Sequence, residues 1–259
     1  MKPIRIDLSE NLREIEIIPI ADVHLGDPMC NYKHFMETLE YIKERDNVFC
    51  VLNGDLMDCA IKASIGDSYS AALQPMEQLH QCVKIFEPIK DKILCVLPGN
   101  HEERIYKTDG VDMTRLMCDQ LGIADRYSST TALLFVRFGR DCGRTHHSRK
   151  ECYTIYCNHG SGGGRREGGK VNRVADLASV VDADIYVAAH THLPFIMRER
   201  FFRVSASNSS VSIVDKLFIN TSAQLEYGGY GDRAAFKPAS IETPVICLSG
   251  TEKKMRATL

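Results

Sequence analysis

Short apolar runs alternate along the chain with segments whose apolar residues recur at helical spacing. The first run, EIEIIPI over 14–20, is rich in β-branched residues and predicts a strand. Over 31–45, Phe35, Leu39 and Ile42 fall on one helical face. NVFCVLNGD (47–55) reads as a buried strand running into a glycine turn. Leu73, Met76, Leu79, Val83 and Phe86 mark a second helical face over 71–88. KILCVLPGNH (92–101) repeats the strand-then-turn pattern, and 112–121 is helical in spacing. TTALLFVRF (130–138) and ECYTIYCNHG (151–160) predict strands, joined as a hairpin by the polar stretch CGRTHHSRK (142–150). A helical pattern over 170–182 precedes ADIYVAAH (183–190), a strand that ends on a histidine. FIMRERFFRV, VSIVDKLFIN and PVICLSG make the last third β-rich. With no repeat, long linker or break in composition, the pattern predicts one domain over 1–259 with an α/β core.

Composition narrows the class. Hydrophobic residues at 44% and charged residues at 25% suit a folded domain rather than a disordered chain. The formal charge of −2 lacks the basic excess common in nucleic-acid binders, so any basic surface is local. Cys50, Cys95, Cys157 and Cys247 sit inside apolar runs and read as buried, reduced thiols. The N-terminus lacks the basic-then-apolar pattern of a signal peptide, and no apolar stretch approaches the roughly 18 residues that span a bilayer. The expected location is the cytoplasm, away from membranes.

The candidate chemistry lies at strand ends. The five predicted strands at 14–20, 47–55, 92–101, 151–160 and 183–190 each run into residues of metal-ligand type. They lead in turn to Asp22 and His24; to Asp55 with Asp58 beyond; to Asn100, His101 and Glu102; to His159; and to His190 and His192. In open α/β sheets, sites form beyond the carboxyl ends of strands, so these ends can converge. Asp, Asn and His suit Mn, Fe, Ni or Zn, and no cysteine falls at these ends as a structural zinc site would favour. Asp22, His24, Asp55, Asn100, His159, His190 and His192 are too many donors for one ion. With one bridging Asp they would serve two ions about 3.5–4 Å apart. His190 and His192, two apart, would share a face on a regular strand.

DVH, GDLMD, GNHE, NHG and AHTH, in that order over 22–192, resemble the signature blocks of calcineurin-like metallophosphoesterases. The resemblance implies a four-layer α/β/β/α sandwich of two mixed sheets flanked by helices, with the site at one sheet edge under the loops. It also implies roles. Asp22, His24 and His192 would bind the first ion, Asn100, His159 and His190 the second, and Asp55 would bridge. His101 would act as general acid or electrostatic partner of the phosphoryl group, its tautomer held by Asp58. Two dications, Mn²⁺ first among the candidates, would neutralise an anionic ester and bring water to nucleophilic strength near neutral pH.

Other features carry weaker expectations. Glu102 is expected to be structural, capping the turn that follows. The stretch SGGGRREGGKVNR after His159 is glycine-rich and basic. It reads as a mobile loop over the metals, with Arg165, Arg166, Lys170 and Arg173 available to substrate phosphate; Arg104 is a further candidate. Cys142, His146, His147 and Cys152 could form a small zinc site, although a solvated hairpin tip explains them as well. Protein phosphatases of this superfamily carry Arg after the second Asp of their GDxxD block, where this chain has Cys59 and Ala60. DVHLG with GDLMD is similar to the DNA-repair exonuclease and phosphodiesterase branch, although Glu102 replaces that branch's usual Asp and Ala189 a common Gly. The expected activity is a phosphodiesterase or phosphatase acting on a nucleotide or nucleic-acid-type phosphoester. A DNA or RNA nuclease, a Ser/Thr protein phosphatase and a non-catalytic scaffold on the same fold are the alternatives.

Overall fold

The computed structural model of the chain describes residues 1–62, 64, 71–140 and 150–259. Its first half runs β1 (Lys2–Asp7), β2 (Glu14–Ile20), α1 (Tyr32–Glu44), β3 (Val48–Asn53), α2 (Pro75–Phe86), β4 (Ile93–Leu97), α3 (Glu102–Asp109) and α4 (Met113–Leu121). The second half runs β5 (Thr131–Phe138), β6 (Glu151–Asn158), α5 (Glu167–Ala175), β7 (Ile185–Ala188), β8 (Phe195–Ser205), β9 (Ser210–Asn220), α6 (Gly229–Arg233), β10 (Val245–Ser249) and β11 (Met255–Thr258).

The strands form two mixed sheets, in the orders β1-β5-β6-β7-β9-β8 and β11-β10-β2-β3-β4. Strand parity explains how they stack. On β2, Ile15 and Ile17 face the other sheet, whereas Ile18 and Ile20 face helices. On β3, Phe49 and Val51 turn inward, and Val48, Cys50 and Leu52 turn outward. β4 carries a bulge: Cys50 pairs with Ile93 but Val51 pairs with Cys95, so Leu94 and Cys95 both point inward. Leu134, Val136, Tyr153, Ile155, Ile185 and Ile219 of the six-stranded sheet complete the seam between the sheets. The outer face of the five-stranded sheet is covered by α1, α2 and α4 through Phe35, Leu39, Leu79, Phe86 and Met117. Val174 of α5, with Leu177, covers Tyr156, Tyr186 and Phe218 on the other side. The result is the α/β/β/α sandwich.

Elements keep to their patterns with local revisions. The helical pattern over 71–88 begins only at Pro75, where Gln74 and Glu77 form a capping box. The pattern over 170–182 splits: α5 ends at Ala175 and a 3₁₀ turn follows over Asp176–Ser179. The 130–160 pair is an antiparallel hairpin. Its tip at 141–149 lies outside the described residues, and with it Cys142, His146 and His147; Cys152 is half-buried on β6. Among the described residues no helix is long and apolar enough to cross a membrane. β2, β3 and β4 run parallel, as do β6 and β7, so their carboxyl ends open together onto one edge of the sandwich.

Candidate metal centre

The loops at these strand ends are held in unusual backbone. Asp22, His24, Asp55, His190 and His192 all have positive φ, between 49° and 67°. Such a conformation costs an ordinary L-residue about 1–2 kcal/mol, so the surroundings must hold it. They do so by backbone hydrogen bonds between loops. Asp22 N–H donates to Gly54 O at 3.0 Å, His24 N–H to Asp55 O at 3.0 Å, and Leu25 N–H to Leu56 O at 2.9 Å. Glu102, which is buried, adds a four-point clamp. Its Oε1 accepts from Leu56 N (2.7 Å) and Met57 N (2.9 Å), and its Oε2 from Asp55 N (3.1 Å) and Gly99 N (2.8 Å). The GDLMD and GNHE turns are thereby joined into one body. Their glycines leave room for the join: a Cβ on Gly54 would lie 2.6 Å from His159 Nδ1, and one on Gly99 would lie 2.1 Å from Asp55 Oδ1.

On this frame the donors gather. Asp22, His24 and His192 bring one ligand atom each within 4.8 Å of one another, and Asp55, His159 and His190 do the same. Asp22 Oδ1 lies 3.4 Å from His192 Nε2, and Asp55 Oδ2 lies 3.3 Å from His159 Nε2. Asn100 Oδ1 is 3.3 Å from that same His159 Nε2. His159 Nδ1 donates to Asn53 O at 2.7 Å, which leaves Nε2 as its free ligand atom. Asp22 Oδ1 and His24 Nε2 are buried without any hydrogen-bond partner. Buried polar atoms are seldom left so, and a divalent cation would satisfy both. The donor set therefore fits metal ions on an observation independent of the sequence pattern. Donors come from both sheets: Asp22, Asp55 and Asn100 follow β2, β3 and β4, and His159, His190 and His192 follow β6 and β7.

The electrostatics agree. Burial holds the His24 imidazole down to about 3, with the charge of His101 adding to it, so His24 presents a neutral ring. Burial alone would raise the Asp55 carboxyl, but the charge and hydrogen bond of His159, then His101 and His24, hold it well below the usual range. Burial would raise Asp22 too, and His192 outweighs it. Two buried carboxylates thus sit among imidazoles that favour their charged form.

His101 stands beside this cluster. Its Nδ1 is 3.0 Å from Asp58 Oδ1 and 2.9 Å from Asp58 O, and its Nε2 is 3.8 Å from Asp55 Oδ2. Its N–H donates to Asp55 Oδ1 at 2.8 Å. Burial lowers the His101 imidazole, but the Asp58 hydrogen bond and the charge of Asp55 raise it above its ordinary value. The expected pairing of His101 with Asp58 is present in the geometry.

Some expectations change. His190 and His192 lie beyond the end of β7 at Ala188, in a left-handed loop rather than on a strand face. Thr191 N–H closes that loop onto Ala189 O at 2.7 Å, and Lys170 Nζ donates to Thr191 O at 2.8 Å. Lys170 therefore braces the histidine loop. Arg173 donates to the carbonyls of Ser161, Gly162 and Gly163, so it grips the glycine loop from α5. Arg165 donates to Ala234 O at 2.8 Å and lies 5.2 Å from the centre of the Phe236 ring. Arg166 is exposed just ahead of α5. Arg104 reaches His101 itself, its Nη2 lying 2.9 Å from His101 Nε2. The sequence reading missed Gln78, which is buried on α2. Its Oε1 accepts from Cys59 N at 2.9 Å and steadies the loop that carries Asp58. A glutamine beside Leu79 on an apolar helix face was the available signal.

Comparison with known proteins bears on the whole arrangement. The family model described as calcineurin-like phosphoesterase matches residues 16–194, which include every donor above. Among solved structures, a conserved uncharacterized protein and predicted phosphoesterase from Streptococcus pneumoniae TIGR4 is 13% identical, with a TM-score of 0.35. That match covers 95% of this chain and 90% of the other. A search of curated proteins found no match. On the family match, which spans more than half of its length, the chain belongs to the calcineurin-like phosphoesterases.

Proposed function

We propose that this chain is a metal-dependent hydrolase of phosphoesters of the nucleotide or nucleic-acid kind, acting as a phosphodiesterase or phosphatase. One observation carries the reading. Two donor sets, Asp22–His24–His192 and Asp55–His159–His190, lie side by side, with His101 Nε2 3.8 Å from Asp55 Oδ2. Asp22, His24 and His192 would hold one ion and Asn100, His159 and His190 the other, with Asp55 between them. Oxygen and imidazole donors without thiolate suit Mn²⁺ first, then Fe, Zn or Ni. When bound, two such ions neutralise the charge of a phosphoester and make water nucleophilic near neutral pH.

The rest falls to the chain's own groups. With Nδ1–H directed at Asp58, His101 turns Nε2 toward the donor cluster. From there, in the doubly protonated form that Asp58 and Asp55 favour, it can give a proton to a departing oxygen or hydrogen-bond it. The burial of Asp22, Asp55 and His24 keeps bulk water from screening that exchange. Cys59 and Ala60, where protein phosphatases carry Arg, weigh against a phosphoprotein substrate. The described cysteines are free thiols, in keeping with a reducing cytoplasm.

The test is hydrolysis of bis(p-nitrophenyl) phosphate and p-nitrophenyl phosphate by metal-stripped protein refilled with Mn²⁺. His101→Ala is expected to lose about 10²–10⁴-fold in kcat, and Asp55→Asn to lose turnover together with Mn²⁺. Wild-type protein that turns over neither ester with any divalent metal would be a scaffold, and the proposal would fall.

A further inference from the structure

We infer that Arg104 is the residue that reads the charge of the reacting phosphoryl group, and that it tilts the site toward phosphates carrying two negative charges. In substrate terms that means terminal monoesters over internal diesters. The inference rests on the phosphoesterase reading for its substrates, though not for the anion site itself.

Four basic residues of the 161–173 segment were available to meet substrate, and three of them have internal work. Arg165 is spent on Ala234 O and the Phe236 ring, Lys170 on Thr191 O, and Arg173 on the glycine-loop carbonyls. Arg104 differs. It sits on α3, three residues after His101, so one helical turn brings its guanidinium to the edge of the His101 ring. Nη2 lies 2.9 Å from His101 Nε2, on the side of the ring nearest Asp55. Nη1 makes long contacts of 3.4 Å with Asp58 O and with Ser64 Oγ. Among the described residues no carboxylate oxygen lies within ion-pair distance of this half-buried guanidinium; the Asp58 carboxylate, whose Oδ1 is taken by His101, feels its charge from farther off.

A half-buried arginine that, among the described residues, has no carboxylate oxygen of its own in ion-pair contact, next to a proton-transfer histidine, is poised for an anion from outside. Its fork can take two oxygens of one phosphate, and the contact to His101 Nε2 is the one a phosphoryl oxygen would replace. Because the attraction is between charges, it scales with the charge on the phosphate. A monoester dianion gains more from it than a diester monoanion.

The experiment compares wild-type, Arg104→Gln and Arg104→Lys proteins, Mn²⁺-loaded and matched for thermal stability. Each is assayed on p-nitrophenyl phosphate and on bis(p-nitrophenyl) phosphate, and inorganic phosphate binding is measured by titration calorimetry. Arg104→Gln is expected to lower the monoester-to-diester ratio of kcat/KM about tenfold, mainly through KM, and to weaken phosphate binding about tenfold. Arg104→Lys should restore most of both. Equal losses on the two esters with unchanged phosphate affinity would reduce Arg104 to a prop for His101 and overturn the inference. If wild-type protein turns over neither ester yet binds phosphate through Arg104, the charge-reading site stands and the hydrolase reading fails.

Discussion

Gly99 carries no side chain because Asp55 already fills the space: a Cβ there would lie 2.1 Å from Asp55 Oδ1 and 2.3 Å from Asp55 N. Neither atom can retreat, since Asp55 N is held by Glu102 and Asp55 Oδ1 by His101 N–H. Gly99→Ala is therefore expected to fold but to bind Mn²⁺ at least about tenfold more weakly, as disturbed ligand supports usually do. Metal content after dialysis against a graded chelator reads this out; wild-type retention would refute it. At this scale the sequence offered the candidate donors but not the backbone that holds them. The aspartates, histidines and Asn100 were legible because strand ends collect them. The positive φ of Asp22, His24, Asp55, His190 and His192 left no trace, since none is glycine. Their conformation is imposed by hydrogen bonds to loops far away in sequence.

The element that fastens the site is the start of α3. Each Glu102 oxygen accepts two backbone N–H groups, from Leu56 and Met57 on one side and from Asp55 and Gly99 on the other. Glu102→Gln would aim an amide NH₂ at one of those donor pairs, so the isosteric change is not conservative here. A loss of about 2–3 kcal/mol in stability is expected, in the range for hydrogen bonds to charged groups. Urea unfolding of the metal-free protein measures it, and a loss below the experimental error would dismiss the clamp. Elements were legible where burial was two-sided. β3 and β4 are continuous apolar runs because both faces are covered. β1 and α3 escaped notice for opposite reasons. KPIRID is an edge strand with one buried residue, Ile4, and EERIYKTD is a mostly polar helix without an apolar face to mark it.

Across the whole molecule the two sheets are tied at a polar joint as well as an apolar seam. Asp184, ahead of β7, accepts from Thr154 N and Thr154 Oγ1 on β6, and from Lys253 Nζ at 2.8 Å in the turn between β10 and β11. Burial would raise its carboxyl, but Lys253 and Thr154 hold it below the usual range. A carboxyl depressed in the folded state contributes stability above its unfolded pKa of about 3.9, and that contribution fades as pH falls through the lower folded value. Asp184→Asn is expected to lose about 1–2 kcal/mol at pH 7 and progressively less below about pH 4. A deficit in urea unfolding that is the same at both pH values would contradict this account. The sandwich itself was legible only through family resemblance, because its strand order is non-local: β1 pairs with β5, and β10 lies between β11 and β2. That last placement matters while the protein is being made. β2 leaves the ribosome early, yet the partner for its β10-facing edge spans Val245–Ser249. At about 5–20 residues per second, the edge stays open for roughly 10–45 s of translation. Throughout that interval the nascent chain displays a β-branched strand edge of the kind that recruits other strands.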